Sequence, residues 1–286
     1  MMMIICTALA LIAFAANSLL CRLALGGGLI DPISFTTVRL LSGTLVLFLV
    51  AHLVTEPKTT PTARGSWGSG LALFAYAAAF SLAYVSLTTG TGALILFGAV
   101  QITMISVALK SGDRVGATQW LGASIALGGL IYLMVPGIAA PDPLAAVLMG
   151  VAGIAWGVYS IRGKGAAAPI AMTAGNFRRS APLVLVLMVG TVVFSFVHLQ
   201  PAGILLALLS GMVTSGLGYV IWYTALNGLS TTQASVVQLL VPVVAALGGI
   251  LFLAEPVSLR LIGASALILG GVALALVKRT PKPVGG

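Results

Sequence analysis

The sequence predicts an all-α integral membrane protein with ten transmembrane helices, arranged as two inverted repeats of five helices each. Three observations lead to this prediction: an apolar composition, ten apolar stretches of membrane-spanning length, and a strong asymmetry in the placement of basic residues. Hydrophobic residues make up 59% of the 286 residues, and charged residues make up 7%. A soluble domain needs roughly 25% charged residues to cover its surface, so the expected solvent is lipid.

Ten stretches are apolar enough to cross a bilayer, which takes about 20 residues of helix. They lie at 4–24, 32–53, 67–88, 91–110, 117–136, 144–161, 170–198, 201–226, 231–253 and 258–277. No basic segment opens the first stretch, so we expect a retained helix there rather than a cleaved signal. Asp31-Pro32 and Asp142-Pro143 are typical of helix starts, with an aspartate cap followed by a first-turn proline.

The basic residues indicate the orientation of these helices. On the ten-helix prediction, eleven of them fall on one side of the membrane: Lys58, Arg64, Lys110, Arg114, Arg162, Lys164, Arg178, Arg179, Lys278, Arg279 and Lys282. Arg22 and Arg260 fall on the other side, and Arg39 lies inside the second stretch. The positive-inside rule then predicts a multi-pass protein of the bacterial inner membrane with both termini in the cytoplasm. The net charge of +9 follows from topology, so we expect a lipid bilayer and no nucleic acid as its partner.

A weak internal repeat divides the chain into two halves. Leu121-Gly122-Ala123-Ser124 in the fifth stretch recurs 141 residues later as Ile262-Gly263-Ala264-Ser265 in the tenth. We therefore predict repeats at 1–138 and 139–286, joined in one membrane domain. Because five is an odd number of helices, the halves must have opposite orientations in the membrane. Inverted repeats are typical of secondary transporters, in which two related halves exchange conformations.

The second half also carries a recognisable set of motifs. Ala254-Glu255-Pro256, followed by Leu261-Ile262-Gly263-Ala264 and Gly270-Gly271, resembles the closing signature of the EamA family in the drug/metabolite transporter superfamily. The first-half counterparts are Gly112-Asp113-Arg114 and Gln119-Trp120-Leu121-Gly122. This resemblance implies a transporter of small metabolites, with YddG-type amino-acid exporters as the nearest relatives. One departure is Gln101, which stands where the repeat partner has Pro242, and it indicates a specialised subgroup.

Aromatic residues within the predicted helices are the first candidates for a substrate site. Tyr76, Phe80 and Tyr84 form a stripe along one face of the third helix, while Trp156 and Tyr159 share a face of the sixth. Tyr223 is the candidate from an aromatic cluster in the eighth helix. The alternatives are ordinary packing or an interfacial aromatic belt.

Three amides complete the predicted site. Gln101 and Gln238 lie near the middles of the fourth and ninth stretches, where an amide binds either a substrate or a neighbouring helix. Asn17 in the first helix has the same two alternatives, and a helix–helix hydrogen bond is the favoured one. Arg39 lies about two turns inside the second helix, and we expect it to have a structural or topological role.

Other functional classes lack their characteristic residues. All five acidic residues lie in or beside connections, so no carboxylate is expected at mid-membrane to carry a proton or sodium ion. His52 and His198 are isolated from other metal-ligating residues, and Cys6 and Cys21 are too far apart on one helix to pair. We therefore expect no metal, no cofactor and no enzymatic activity.

The function predicted from the sequence is an alternating-access carrier that exports amino acids, aromatic or apolar ones in particular, by uncoupled transport or exchange. Two alternatives stay open: a transporter of drug-like or nucleotide-derived solutes, and a scaffold that transports nothing. A carrier predicts a water-filled cavity between the halves, whereas a scaffold predicts a dry, packed centre. The sequence does not determine the oligomeric state, although a monomer is compatible with it.

Overall fold

The described residues form ten helices that follow the ten predicted stretches. The structure is a computed structural model that describes residues 2–54, 64–110, 117–135, 140–193, 197–226, 228–229 and 237–276. The helices are α1 Met2–Gly26, α2 Pro32–Leu53, α3 Trp67–Ala83, α4 Thr89–Lys110, α5 Ala117–Met134, α6 Pro143–Gly163, α7 Pro169–Val193, α8 Pro201–Leu226, α9 Leu240–Leu253 and α10 Leu259–Leu276. The prediction of an all-α membrane fold is confirmed.

Six of these helices are long and apolar enough to cross a membrane, namely α1, α2, α4, α6, α7 and α8. The other four are apolar but shorter within the described residues. Helix α3 ends five residues before its predicted limit, and just beyond its end Arg22 Nη1 donates hydrogen bonds to the carbonyl oxygens of Tyr84 and Val85. Part of the predicted ninth stretch, 231–236, lies outside the described residues.

Large apolar side chains cover the outer surface of the bundle. Val186, Leu251 and Phe252 expose about three quarters of their surface, at 74%, 75% and 74%. Polar residues such as Asn17 and Arg39 are buried inside, at 2% and 1% exposure. This distribution is the reverse of a soluble protein's and fits a lipid environment.

Aspartate caps start two helices, as the sequence predicts. Asp31 Oδ1 accepts hydrogen bonds from the backbone N–H groups of Ile33 and Ser34 at 3.1 and 2.8 Å, at the start of α2. Asp142 Oδ1 accepts one from Ala145 at 2.7 Å, at the start of α6. In both helices a proline follows the cap. A backbone N–H at this position has no hydrogen-bond partner within the helix, so its absence in proline costs nothing there.

Helix α8 changes its winding near the middle of its length. Two α-helical segments flank a π-helical segment at Ser210–Leu217. There α8 passes so close to α2 that a Cβ on Gly211 would overlap the Arg39 carbonyl oxygen and Ser42 Oγ. π-helical segments are rare and are frequent at functional sites, so this crossing is of interest for the site.

The packing of the helices has a regular pattern. The principal contacts join α5 with α10, α3 with α6, α4 with α6, α2 with α7, α2 with α8, α4 with α9, α3 with α7, α1 with α9 and α1 with α8. Each contact has a counterpart between the equivalent helices of the other half, whose numbers differ by five. For example, the contact of α3 with α6 corresponds to that of α8 with α1, and the contact of α2 with α7 corresponds to itself. Such a pattern is expected of two related halves. The inverted orientation and the boundary at 138/139 stay predictions.

Candidate functional site

The most unusual group in the bundle is a buried arginine. Arg39, in α2, is 1% exposed. Its Nε donates a hydrogen bond to Ser215 Oγ at 2.9 Å, and its Nη2 donates to the hydroxyls of Tyr76 and Tyr219, both at 3.1 Å. These partners belong to α3 and to α8, and Ser215 lies in the π-helical segment. The altered winding of α8 thus places an acceptor for the guanidinium at the centre of the protein.

The charge of Arg39 is only partly compensated. Its Cζ lies 5.2 Å from the ring centroids of both Tyr76 and Phe80, within range of cation–π attraction. Among the described residues, however, no carboxylate pairs with Arg39, and Nη1 has no hydrogen-bond partner. An unpaired buried charge costs several kcal/mol, roughly, in a low-dielectric interior. The site therefore favours an anionic ligand that could bond the remaining donors.

Aromatic rings from both halves pack around Trp156, and two of them, Tyr76 and Tyr219, also bond Arg39. The ring centroid of Trp156 lies 4.7 Å from that of Tyr219, 5.0 Å from Tyr76, 5.5 Å from Phe14 and 5.6 Å from Tyr159. Such offset and edge contacts stabilise aromatic pairs by about 0.5–1.5 kcal/mol each. We call this set the central cluster: Arg39 with Phe14, Asn17, Tyr76, Phe80, Trp156, Tyr159 and Tyr219.

Asn17 links three helices in the central cluster. Its Oδ1 accepts hydrogen bonds from Ser210 Oγ at 2.7 Å and Thr214 Oγ1 at 3.0 Å. Its Nδ2 donates a longer bond, 3.4 Å, to the hydroxyl of Tyr76. The amide makes the helix–helix bonds favoured from the sequence, and it also orients a ring that contacts Arg39.

The structure brings five of the nine predicted site residues into the central cluster: Asn17, Tyr76, Phe80, Trp156 and Tyr159. Tyr223 lies next to it, with its ring centroid 6.0 Å from that of Tyr159. Tyr84 makes an edge-to-face contact with Phe80 but follows the last residue of α3, where its hydroxyl donates to the Thr89 carbonyl at 3.3 Å. Tyr84 thus lies towards the predicted outer end.

The two glutamines are buried but lie apart from the bonds to the arginine. Gln101, in the middle of α4, is 0% exposed, and Gln238 is 1% exposed. Gln238 lies two residues before Leu240, the first residue of α9, and the part of the predicted ninth stretch just before it, 231–236, lies outside the described residues. Neither amide is hydrogen-bonded to Arg39 in the described part of the chain.

The centre of the bundle is nearly closed. The cavity beside the central cluster has a volume of about 10 Å³, enough for about one water molecule. Its walls are Phe14, Ser18, Tyr76, Phe80, Leu96, Phe97 and Trp156. This cavity is far smaller than the water-filled one expected of a carrier, because aromatic rings make up most of its walls.

The predicted outer end is held by contacts between the two halves. Both oxygens of the Glu255 carboxylate accept from the Thr89 backbone N–H at 2.9 and 2.8 Å, and Oε1 also accepts from Thr89 Oγ1 at 3.0 Å. Arg22 Nε lies 3.5 Å from Oε1. We call Glu255, Thr89 and Arg22 the outer latch. The Ala254-Glu255-Pro256 motif thus caps α4, and Ala254 adopts a left-handed φ of 49° to turn the chain there.

A second set of contacts holds the opposite end, and we call it the inner seam. Arg162 donates to Ser69 Oγ at 3.1 Å and to Ser66 Oγ at 3.2 Å. The Ser66 N–H donates to Asn176 Oδ1 at 3.0 Å, and Arg179 donates to the Arg64 carbonyl at 3.0 Å. The first-half segment 64–69 is thereby joined to α6 and α7. In the described part of the chain, contacts between the two halves are thus formed at both ends of the central cluster.

Sequence reasoning missed the arginine at the centre of this site. Arg39 was expected to be structural or topological, and Phe14, Ser215 and Tyr219 were not selected. The signal was present, since an ionisable residue two turns inside a membrane helix marks a functional site by default. Its hydroxyl partners are 37, 176 and 180 residues away in sequence, so no local pattern connects them.

Comparisons with known proteins place the chain in a family. A family model described as the EamA-like transporter family matches residues 143–277, and an uncharacterized protein of Pseudomonas aeruginosa is 50% identical over 96% of this chain and 94% of its own length. The chain belongs to the EamA-like transporter family. A protein of Archaeoglobus fulgidus described as an uncharacterized transporter is 26% identical to this EamA-like chain, over 70% of the chain and 72% of that protein.

Structural similarity covers the full bundle. A solved crystal structure has a TM-score of 0.61 to this chain at 19% identity, with coverage of 94% of this chain and 95% of that one. At this level of identity the match shows the fold alone. Family membership makes the chain a multi-pass membrane transporter of small solutes, and it favours the expectation that the chain is not an enzyme.

Proposed function

We propose that this EamA-like transporter is an alternating-access carrier that exports amino acids with aromatic or apolar side chains. The observation that carries the proposal is Arg39, a buried cation that has an unpartnered Nη1 among the described residues and aromatic rings on its flanks. Guanidinium N–H groups bind carboxylates through charge-assisted hydrogen bonds, which are stronger than those between neutral groups, and Nη1 has N–H groups to offer. The substrate's carboxylate would complete the bonding of Arg39.

The neighbouring residues suit the rest of an amino acid. Phe80 and Trp156 offer ring faces for an apolar or aromatic side chain, and ring faces also attract an ammonium group. The amide side chains of Asn17, Gln101 and Gln238 are proposed to orient the head group. Since the cavity of about 10 Å³ is too small for any amino acid, the rings must separate when substrate enters.

We propose further that the closed centre corresponds to an occluded state. The outer latch and the inner seam are both formed, and each joins one half of the chain to the other. Opening one while keeping the other would expose the central cluster to one side of the membrane at a time. Because each principal helix contact has a counterpart between the equivalent helices of the other half, the packing supports two halves that exchange conformations.

The positions of the acidic residues support transport without a coupling ion. Asp31 and Asp142 cap helices, and Glu255 belongs to the outer latch. Glu56 and Asp113 lie outside the described residues. We therefore propose uncoupled transport or exchange, with both termini in the cytoplasm of a bacterial inner membrane. Reporter fusions to each terminus test this orientation.

Counterflow in liposomes tests the proposed substrate. Protein is reconstituted with a panel of unlabelled amino acids inside, and uptake of the labelled compounds is measured, with a sugar and a nucleobase as controls. We expect exchange of aromatic and apolar amino acids and none of the controls. Exchange of a control, without exchange of any amino acid, would overturn the proposal. Gln101→Leu should slow amino-acid exchange while leaving that of a lipophilic drug nearly unchanged.

The closed centre also fits the scaffold alternative, and the aromatic walls fit a drug-like solute. Counterflow separates these functions, since a scaffold exchanges nothing and a drug transporter exchanges lipophilic cations. The membership of the chain in a transporter family favours transport.

A further inference from the structure

A groove lies between α2 and α7, at the end where α2 finishes and α7 begins. It has a volume of about 330 Å³ and is separate from the central cluster. Its lining consists of Thr44, Phe48, Ala51, His52, Arg64, Ala171, Ala174, Gly175 and Arg178. Gly175 forms part of the floor, where a Cβ would overlap the Arg64 carbonyl oxygen. The charge distribution of the sequence predicts that this end lies on the cytoplasmic side.

The groove combines apolar walls with a cationic edge. Phe48 is 57% exposed on the outer face of α2, and small apolar residues such as Ala51 and Ala174 line the groove. Arg64 and Arg178 are exposed, one from each half of the chain. An acyl chain fits such walls, whereas a phosphate fits the two guanidinium groups.

Arg64 and Arg178 differ from the neighbouring arginines in their contacts with described residues. Arg162 and Arg179 use their guanidinium groups in the inner seam. Within the described part of the chain, the side chains of Arg64 and Arg178 make no hydrogen bond or ion pair, and no acidic residue lines the groove. Two uncommitted cations at the mouth of a lipid-facing groove are complementary to an anionic head group.

We propose that this groove binds one anionic phospholipid of the cytoplasmic leaflet. The phosphate lies between Arg64 and Arg178, and an acyl chain runs along Phe48 between α2 and α7. Because α2 also carries Arg39, the lipid supports the helix pair that positions the central cluster. This site requires neither the proposed substrate nor the proposed transport cycle.

Native mass spectrometry of the purified full-length chain in detergent tests the site. Phosphatidylglycerol is titrated against phosphatidylcholine with the same acyl chains, and glycerol phosphate tests a free anion. We expect the wild type to bind one phosphatidylglycerol preferentially. The double variant Arg64→Gln/Arg178→Gln should bind it about thirtyfold more weakly, which corresponds to about 1 kcal/mol for each arginine. Lys164→Gln removes a charge from the same predicted side and should bind like the wild type.

Three results would overturn the proposal: equal binding of the two lipids, wild-type affinity in the double variant, or equally strong competition by glycerol phosphate, which indicates a free-phosphate site. If the double variant does not fold, Ala174→Leu fills the groove and leaves both arginines in place. Loss of the preference for phosphatidylglycerol in this variant supports the groove, and its retention overturns it.

Discussion

Removal of the Glu255 carboxylate should release the predicted outer end of the transporter. In the outer latch this carboxylate accepts bonds from the backbone N–H and the hydroxyl of Thr89, at 2.8–3.0 Å, and Arg22 Nε lies 3.5 Å away. Each hydrogen bond to a charged group contributes roughly 1.5–3 kcal/mol, whereas a partly exposed ion pair contributes at most about 1 kcal/mol. Glu255→Ala should therefore cost the latched state about 3 kcal/mol.

If the latch forms only when the outer end is closed, a loss of about 3 kcal/mol shifts the open fraction by roughly a hundredfold. Glu255→Gln keeps an acceptor oxygen for Thr89 and should shift it by roughly tenfold. Cys21 reports this change, since it is 0% exposed on α1, next to Arg22. The assay is the labelling rate of Cys21 by a membrane-impermeant maleimide, in a Cys6→Ala background.

The rates should rise in the order wild type, Glu255→Gln, Glu255→Ala. A lower melting temperature with unchanged labelling would show that the carboxylate only caps α4 and does not gate access. No change in either measurement would refute the energies assigned to these bonds.

Two predictions concern the backbone, and thermal unfolding in detergent measures both. Gly211→Ala should destabilise the protein by about 1–3 kcal/mol, because its Cβ would overlap the Arg39 carbonyl oxygen where α8 crosses α2. The control is Gly128→Ala. Its Cβ would face open space, so this substitution should be neutral or stabilising by about 0.5–1 kcal/mol. If both substitutions changed the stability by the same amount, that result would contradict the close approach of α8 to α2 at Gly211. Ala254→Gly should raise stability by about 1 kcal/mol, since glycine adopts the left-handed φ of 49° without a steric cost, and a loss of stability would contradict that reason.

Much of the fold could be predicted because its causes are local in sequence. A helix that faces lipid must be apolar along about 20 residues, and the aspartate–proline pairs at 31–32 and 142–143 give two helix starts directly. Helix ends that have contacts with distant parts of the chain were predicted less accurately. Just past the end of α3, the carbonyls of Tyr84 and Val85 accept hydrogen bonds from Arg22, which lies more than 60 residues away.

The candidate site was only partly predictable, since residues had to be selected one helix at a time. The costs of burying polar and aromatic groups pointed to Asn17, Tyr76 and Trp156, which do meet in the central cluster. The role of Arg39 depends on hydroxyls from two other helices and on the π-helical winding near Ser215, and no local pattern encodes either. The closed centre likewise follows from how rings of four helices interlock.

The central claim is that Arg39 recognises a substrate carboxylate. Its most direct test is counterflow of a labelled aromatic amino acid through the wild-type protein in liposomes, with two competitors of the same side chain: the unlabelled amino acid and its decarboxylated amine. A carboxylate-dependent site predicts that the amino acid competes fully and that the amine, even at a hundredfold excess, leaves exchange nearly unchanged. Equal competition by the amine would contradict the assignment of Arg39 as the substrate-binding cation.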